Sequence, residues 1–162
     1  MAADMFIKIG DIKGESKDDK HKESIDVLSW SWGLSQTGTF AHGGGGGSGK
    51  VSVQDLSLTK YVDASSTALI VAACNGTHIN KAVLTVRKAG KDPLEYIKIT
   101  LENVLVSSLS TGGASGGDDK LIENVSLNFA KFKVEYTTQA DTGGKGTTST
   151  AGWDVAANKA VG

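Results

Sequence analysis

Cysteine is nearly missing from this 162-residue chain: Cys74 stands alone. No disulfide can therefore form within the chain, and a thiolate-rich zinc site, which needs several cysteines, is excluded. Its neighbours Ala72, Ala73 and Val71 suggest that Cys74 serves as a small buried hydrophobe. An excess of one charge is also lacking, since Lys+Arg is 17 and Asp+Glu is 18. A nucleic-acid binder needs a basic surplus to displace phosphate counterions, and a peripheral membrane protein needs one to meet anionic headgroups. Neither partner is expected. No apolar run approaches the ~18 residues that cross a bilayer. The opening MAADMFIKIGDIKGESK has no basic stretch followed by an apolar core, so no secretory signal is read there and any export would use another machine.

Proline is reduced to Pro93, whereas glycine is abundant: 21 residues, about twice the usual share of ~7%. The glycines cluster at 43–47, 112–117 and 143–146, as connections between strands. Between them, β-branched and aromatic residues alternate in short runs, the mark of a mainly β domain. Met5–Ile9 is the first run, and the charged 10–24 reads as a solvated loop. In IDVLSWSWGL (25–34), Leu28, Trp30, Trp32 and Leu34 share one face, read as core, opposite Val27, Ser29, Ser31 and Gly33. Residues 36–50 form a long glycine-rich connection. The apolar phase then slips between Val51/Val53 and Leu56/Leu58, and again between Phe129 and Phe132. Such slips mark bulges or strands that pass between sheets, and they fit a bent, barrel-like sheet. One helix is expected over TALIVAAC (67–74), capped by Asp63 or Ser65 and stopped by Asn75-Gly76. It is apolar almost all round, which suggests that a partner subunit covers one side. Further strands fall at 82–88, 94–109 and 121–136. The tail from Thr137 is Gly/Thr-rich and reads as flexible, with Trp153 marking a segment that docks back. With no interdomain linker or repeat, 1–162 reads as a single domain.

Several matches to chemical motifs fail on context. GGGGSGK (44–50) has P-loop spacing, but Val51 stands where Ser or Thr should hold magnesium and no helix follows. A GxGxxG match at Gly44, Gly46 and Gly49 fails likewise. His21, His42 and His78 lie in separate segments without a second ligand at metal spacing. Asp118-Asp119 lacks the alternating oxygens of a calcium loop. No nucleophile elbow occurs and Cys74 has no evident base, so no catalytic residue, metal or cofactor is assigned and an enzyme is not expected. The sequons at Asn75 and Asn124 are coincidental without export by a signal peptide.

DMFIKIGDIKGES (4–16), WSWG (30–33), the glycine-rich loop before VSVQDLSLTKY (51–61), LENVLVSSLSTGG (101–113), ENVSLNF (123–129) and Gly152-Trp153 occur in one order. Together they resemble the Hcp (haemolysin-coregulated protein) family, tube components of bacterial type VI secretion systems. The resemblance implies a β-barrel of two sheets with one flanking helix, similar to phage tail tube proteins. It implies a homohexameric ring that stacks head to tail into a tube inside a contractile sheath, behind a trimeric spike, with effectors as cargo. Such a protein is cytoplasmic until firing and then leaves with the apparatus. On that basis Ser29 and Ser31 are candidates for lumen and effector contact, although alternation equally allows an ordinary outer face. Leu69, Ala72 and Ala73 on the helix, with Phe40, Gly44 and Gly46 in the loop, are candidates for subunit contact. A tail tube protein of a phage-like particle is the nearest alternative, and a sugar-binding β-sandwich a more distant one.

Overall fold

Short alternating runs joined by glycine turns suit antiparallel pairing, because each strand can bury one side and fold back on the next. The computed structural model describes residues 3–36, 50–90, 93–117 and 119–162. Its strands are β1 (Ala3–Ile9), β2 (Ile25–Asp26), β3 (Ser29–Ser31), β4 (Leu34–Ser35), β5 (Ser52–Val53) and β6 (Leu56–Tyr61). After helix α1 (Ser66–Asn75) come β7 (Ile79–Lys88), β8 (Glu95–Gly112), β9 (Ile122–Gln139), β10 (Lys145–Asp154) and β11 (Lys159–Ala160). The main sheet runs β11-β10-β9-β8-β7-β1-β2, and β6 pairs with both β3 and β9.

The strand path turns back on itself through residues 25–31. Ile25 and Asp26 pair with Ile7 and Phe6, and the Val27 amide donates to the Met5 carbonyl at 3.0 Å. The very next amide, of Leu28, donates to Thr59 at 2.8 Å, and Ser29–Ser31 pair with β6. One short segment thus links β1 to β6 and gives the mainly β, barrel-like architecture. This change of partner corrects the single alternation read over 25–34. Ile25 and Val27 are the buried residues, Trp30 and Trp32 are half-buried against the core, and Leu28 and Leu34 are exposed at 38% and 50%.

Both slips of apolar phase have a structural cause. Val53 belongs to β5, which pairs with β4, whereas Leu56 and Leu58 belong to β6, which pairs with β3 and β9. In β9 the inward series Val125, Leu127, Phe129 gives way to Phe132, and in β8 Ile99 and Leu101 give way to Val104 and Val106. The breaks face each other across the hairpin, since Glu102 pairs with Lys131 and Val104 with Phe129. Asn103, between them, has φ 54°, a left-handed conformation that asparagine tolerates better than most side chains. A second irregularity leaves Ser107 extra between Val106 and Ser108.

Helix α1 ends as expected, with Gly76 at φ 65° and the Thr77 amide donating to Ala72 at 3.2 Å. At its start Asp63, and not Ser65, supplies the cap: Asp63 Oδ1 accepts from the Ser65 amide at 2.9 Å, and Ser66 Oγ accepts from the Asp63 amide at 3.0 Å. Within the chain only the Ser66, Leu69, Ala72 stripe is buried, while Ile70 and Val71 are exposed. Cys74 is exposed as well, correcting the buried role, because it lies on the side of the helix turned away from that stripe.

The segment after Thr137 is not a loose tail. A run of threonine and serine (147–150) lies in β10, which pairs with β9 from Lys145–Gln139 to Asp154–Lys131, and β11 pairs back onto β10. Glycine content suggested flexibility, but β-branched threonine favours a ladder once a partner edge is available. Trp153 docks on the core opposite Phe132, as expected.

Candidate functional site: two faces of one bent hairpin

Past the bend, most outward positions of the sheet are small and neutral, with Leu105 and Ile122 as large apolar exceptions. Ser29 and Ser31 on β3 sit opposite Thr59 and Ser57 of β6; these sit opposite Asn124 and Ser126 of β9, and those opposite Ser110 and Ser108 of β8. The face is held by its own hydrogen bonds. Thr59 Oγ1 donates to Asn124 Oδ1 at 2.8 Å, and the hydroxyls of Ser57 and Ser126 lie 3.4 Å apart. At one end Asp55 accepts from Ser107 Oγ at 2.6 Å and from Asn128 Nδ2 at 2.8 Å. At the other end Tyr61 pairs with Ile122, both exposed, and the Lys120 ammonium sits 5.0 Å over the Tyr61 ring.

Behind this face, Leu56, Leu58, Val125 and Leu127 are buried, and the next inward pair is Lys60 and Glu123. Lys60 is 0% exposed and Glu123 is 1% exposed, and the two side chains are in direct contact. Lys60 Nζ also donates to the Tyr61 carbonyl at 3.0 Å and Ser66 Oγ at 3.3 Å, and lies 3.1 Å from Asp63. Ser66 Oγ donates to Glu123 at 2.8 Å, so the pair ties the start of α1 to the barrel wall. Sequence reasoning missed this pair. The signal was present, since Lys60 continues the inward phase of Leu56 and Leu58, and Glu123 that of Val125 and Leu127.

Before the bend, the outward positions are mostly charged: Lys98 and Glu102 flank Thr100 on β8, and Lys131, Lys133 and Glu135 lie on β9. Beside them, loop 10–24 is strapped to the wall, not freely solvated. Arg87 donates to Asp18 at 3.0 and 2.6 Å and to Asp4 at 3.2 Å, and lies 5.1 Å over the Phe6 ring. These hydrogen bonds hold the Asp18 carboxyl down to about 2 and raise Arg87 above its ordinary value. His21 stacks on Phe6 at 4.6 Å and hydrogen-bonds Glu95 at 2.7 Å. Gly14 lies so close to the returning chain that a Cβ there would meet the Ser24 carbonyl at 2.5 Å. Burial pushes the Asp26 carboxyl up, with Asp63 and Asp18 adding repulsion.

The remaining candidates separate. Leu69 and Ala72 are 0% and 6% exposed inside the chain, so they serve its own core; Ala73 is half-buried, and Ile70 and Val71 take the outward positions. Phe40, Gly44, Gly46, His42 and Asp118 lie outside the described residues. Beside the ends of that glycine-rich segment, Leu34, Val51, Phe132 and Trp153 line an apolar depression of about 450 Å³. Among the described residues no group of three or more His, Cys, Asp or Glu is placed to hold a metal ion, and no helix is long and apolar enough to cross a membrane.

Residues 6–136 match the family described as type VI secretion system effector, Hcp. Protein hcp1 of Pseudomonas aeruginosa is 58% identical over 160 residues, covering 98% of each chain. Among solved structures, Hcp1 from Salmonella typhimurium superposes with TM-score 0.84 at 43% identity, covering 99% of this chain and 100% of that one. A type six secretion system protein superposes with TM-score 0.93 at 31% identity, again over 99% and 100%.

Proposed function

Because the chain belongs to the Hcp family of type VI secretion proteins, we propose that it is a structural tube subunit that works by shape and performs no catalysis. Six copies close into a ring, and rings stack head to tail within a contractile sheath behind a trimeric spike. The protein waits in the cytoplasm and is released with the tube into a target cell, with effectors carried in the lumen. The neutral face of β3, β6, β9 and the second half of β8 is the lumen wall, and Ser29 and Ser31 contact the cargo. The charged half of the hairpin faces outward. Ring closure is heterologous, and the exposed Ile70 and Val71 of α1, with the 36–50 loop, supply subunit contacts.

The observation that carries this reading is the uninterrupted run of serine, threonine and asparagine across four paired strands. A wall whose centre carries no charge, with Asp55 and Lys120 only at its ends, offers many weak hydrogen bonds and no strong ion pair, so cargo is held and still released. Negative-stain electron microscopy of the purified protein should show annular particles with a hollow centre. Ser31→Arg should leave those rings intact and lower the amount of a lumen-bound effector that copurifies; unchanged retention would refute the lumen assignment. Val71→Asp should give single chains by light scattering, and intact hexamers would remove α1 from the interface.

A further inference from the structure

Four lysines, Lys8, Lys20, Lys22 and Lys98, line one depression of about 320 Å³ together with His21 and Glu95, over a floor of Phe6, Ser24, Val83 and Thr85. Lys8 and Val83 also line a second depression of about 500 Å³ that continues to Lys81, His78 and Asp11. The two hollows therefore form one strip across the outward side of β1, β7 and the first half of β8. Among the described residues none of these five lysines makes an ion pair. The chain carries 17 basic and 18 acidic groups, so unpaired ammoniums gathered in a groove are a local property and not a reflection of net charge.

The groove is also built. Lys8, Lys81 and Lys98 stand on paired strands, where Lys8 faces Val83 and Lys98 faces Thr85. Lys20 and Lys22 flank His21 on a loop clamped by the Asp18–Arg87 pair and by the stack on Phe6. Ordering a lysine-bearing loop before a partner arrives removes part of the entropic cost of binding.

We propose that this strip docks an extended acidic segment of a partner protein. Its shape favours a chain over a single small anion, because the ammoniums are spread along two joined hollows. Glu95 and Asp11 interrupt the strip and would repel a compact polyanion centred on either hollow, whereas carboxylates spaced along a polypeptide can pass them. The site lies on different strands from Ser29 and Ser31, so it is independent of the cargo face.

A fluorescein-labelled oligoglutamate peptide, titrated into the full-length protein at physiological ionic strength and read by anisotropy, tests this. Saturable binding is expected, weakening as salt rises. The double variant Lys8→Glu/Lys98→Glu should lose roughly tenfold or more in affinity, while Lys131→Glu/Lys133→Glu on β9 should stay within about twofold of the parent. If the first variant does not fold, Lys20→Gln/Lys22→Gln in the exposed loop replaces it, with a loss of several-fold expected. Absence of saturable binding, or equal weakening by the β9 pair, would overturn the proposal. Displacement of the peptide by inorganic phosphate at matched ionic strength would overturn it in favour of a small-anion site.

Discussion

The long hairpin of β8 and β9 is one covalent unit with two different outer surfaces. On one side of Asn103 its outward residues include Lys98, Thr100, Glu102, Lys131, Lys133 and Glu135; on the other they include Leu105, Ser108, Ser110, Ile122, Asn124, Ser126 and Asn128, where charge is absent. Inside, both halves are mainly apolar, with Ile99, Leu101 and Phe132 in one and Val104, Val106, Leu127 and Phe129 in the other, but the neutral half also buries Glu123 against Lys60. The fold thus keeps a mainly apolar interior while its exterior changes character across one bend. Core burial governs stability, and outward side chains are free to serve contacts of different chemistry.

The largest effect is expected where the two interiors differ, at the buried pair beneath the neutral half. Lys60→Met alone should cost roughly 3–5 kcal/mol, because Glu123 would stay buried without its cation. Lys60→Met/Glu123→Leu should recover most of that loss, and urea denaturation of the two variants compares them directly. Next is the bend itself. Asn103→Val should cost about 1–2 kcal/mol, since a β-branched side chain resists positive φ, whereas Asn103→Gly should change stability by less than about 0.5 kcal/mol.

The charged half carries its own pH dependence. Asp18 lies at about 2 in the folded chain against an ordinary value of 3.8. Its folded value is lowered, so its contribution is complete above the ordinary value and disappears as pH falls through about 2. Asp18→Asn should therefore loosen loop 10–24 already at neutral pH, and should leave less for acid to remove between about pH 4 and pH 2. Hydrogen exchange of the Ser16 and Ser24 amides, which bond within that loop, reads both effects. The smallest effect is at Lys133. Its pair with Glu135 spans 3.2 Å but is substantially exposed, and Lys133→Gln should shift stability by no more than about 0.5 kcal/mol in a thermal melt.

Much of this was legible in the sequence, because local rules decide it. Alternation located the long strands, the slips at Val53/Leu56 and Phe129/Phe132 located a change of partner and a bend, and Asn75-Gly76 located the helix stop. The resemblance pointed to the family that the comparisons show. What escaped depends on distant contacts. The 25–34 run looked like one strand because nothing local tells that Val27 bonds to Met5 and Leu28 to Thr59. Leu69 and Val71 are equally apolar, and only the position of the barrel decides that the first is covered and the second is not. Asp18 and Arg87 are 69 residues apart, so the strap that orders loop 10–24 left no local trace. The ladder that turns the Gly/Thr-rich end into β10 required the free edge of β9.

Labelled rings would show directly which face of the sheet lines the lumen. In a Cys74→Ser background, Ser31→Cys and Lys98→Cys proteins would each react with a maleimide gold cluster and be imaged by electron microscopy. Gold density is expected at the ring centre for the Ser31 label and at the periphery for the Lys98 label. A peripheral Ser31 label would contradict the assignment of the neutral face to the lumen.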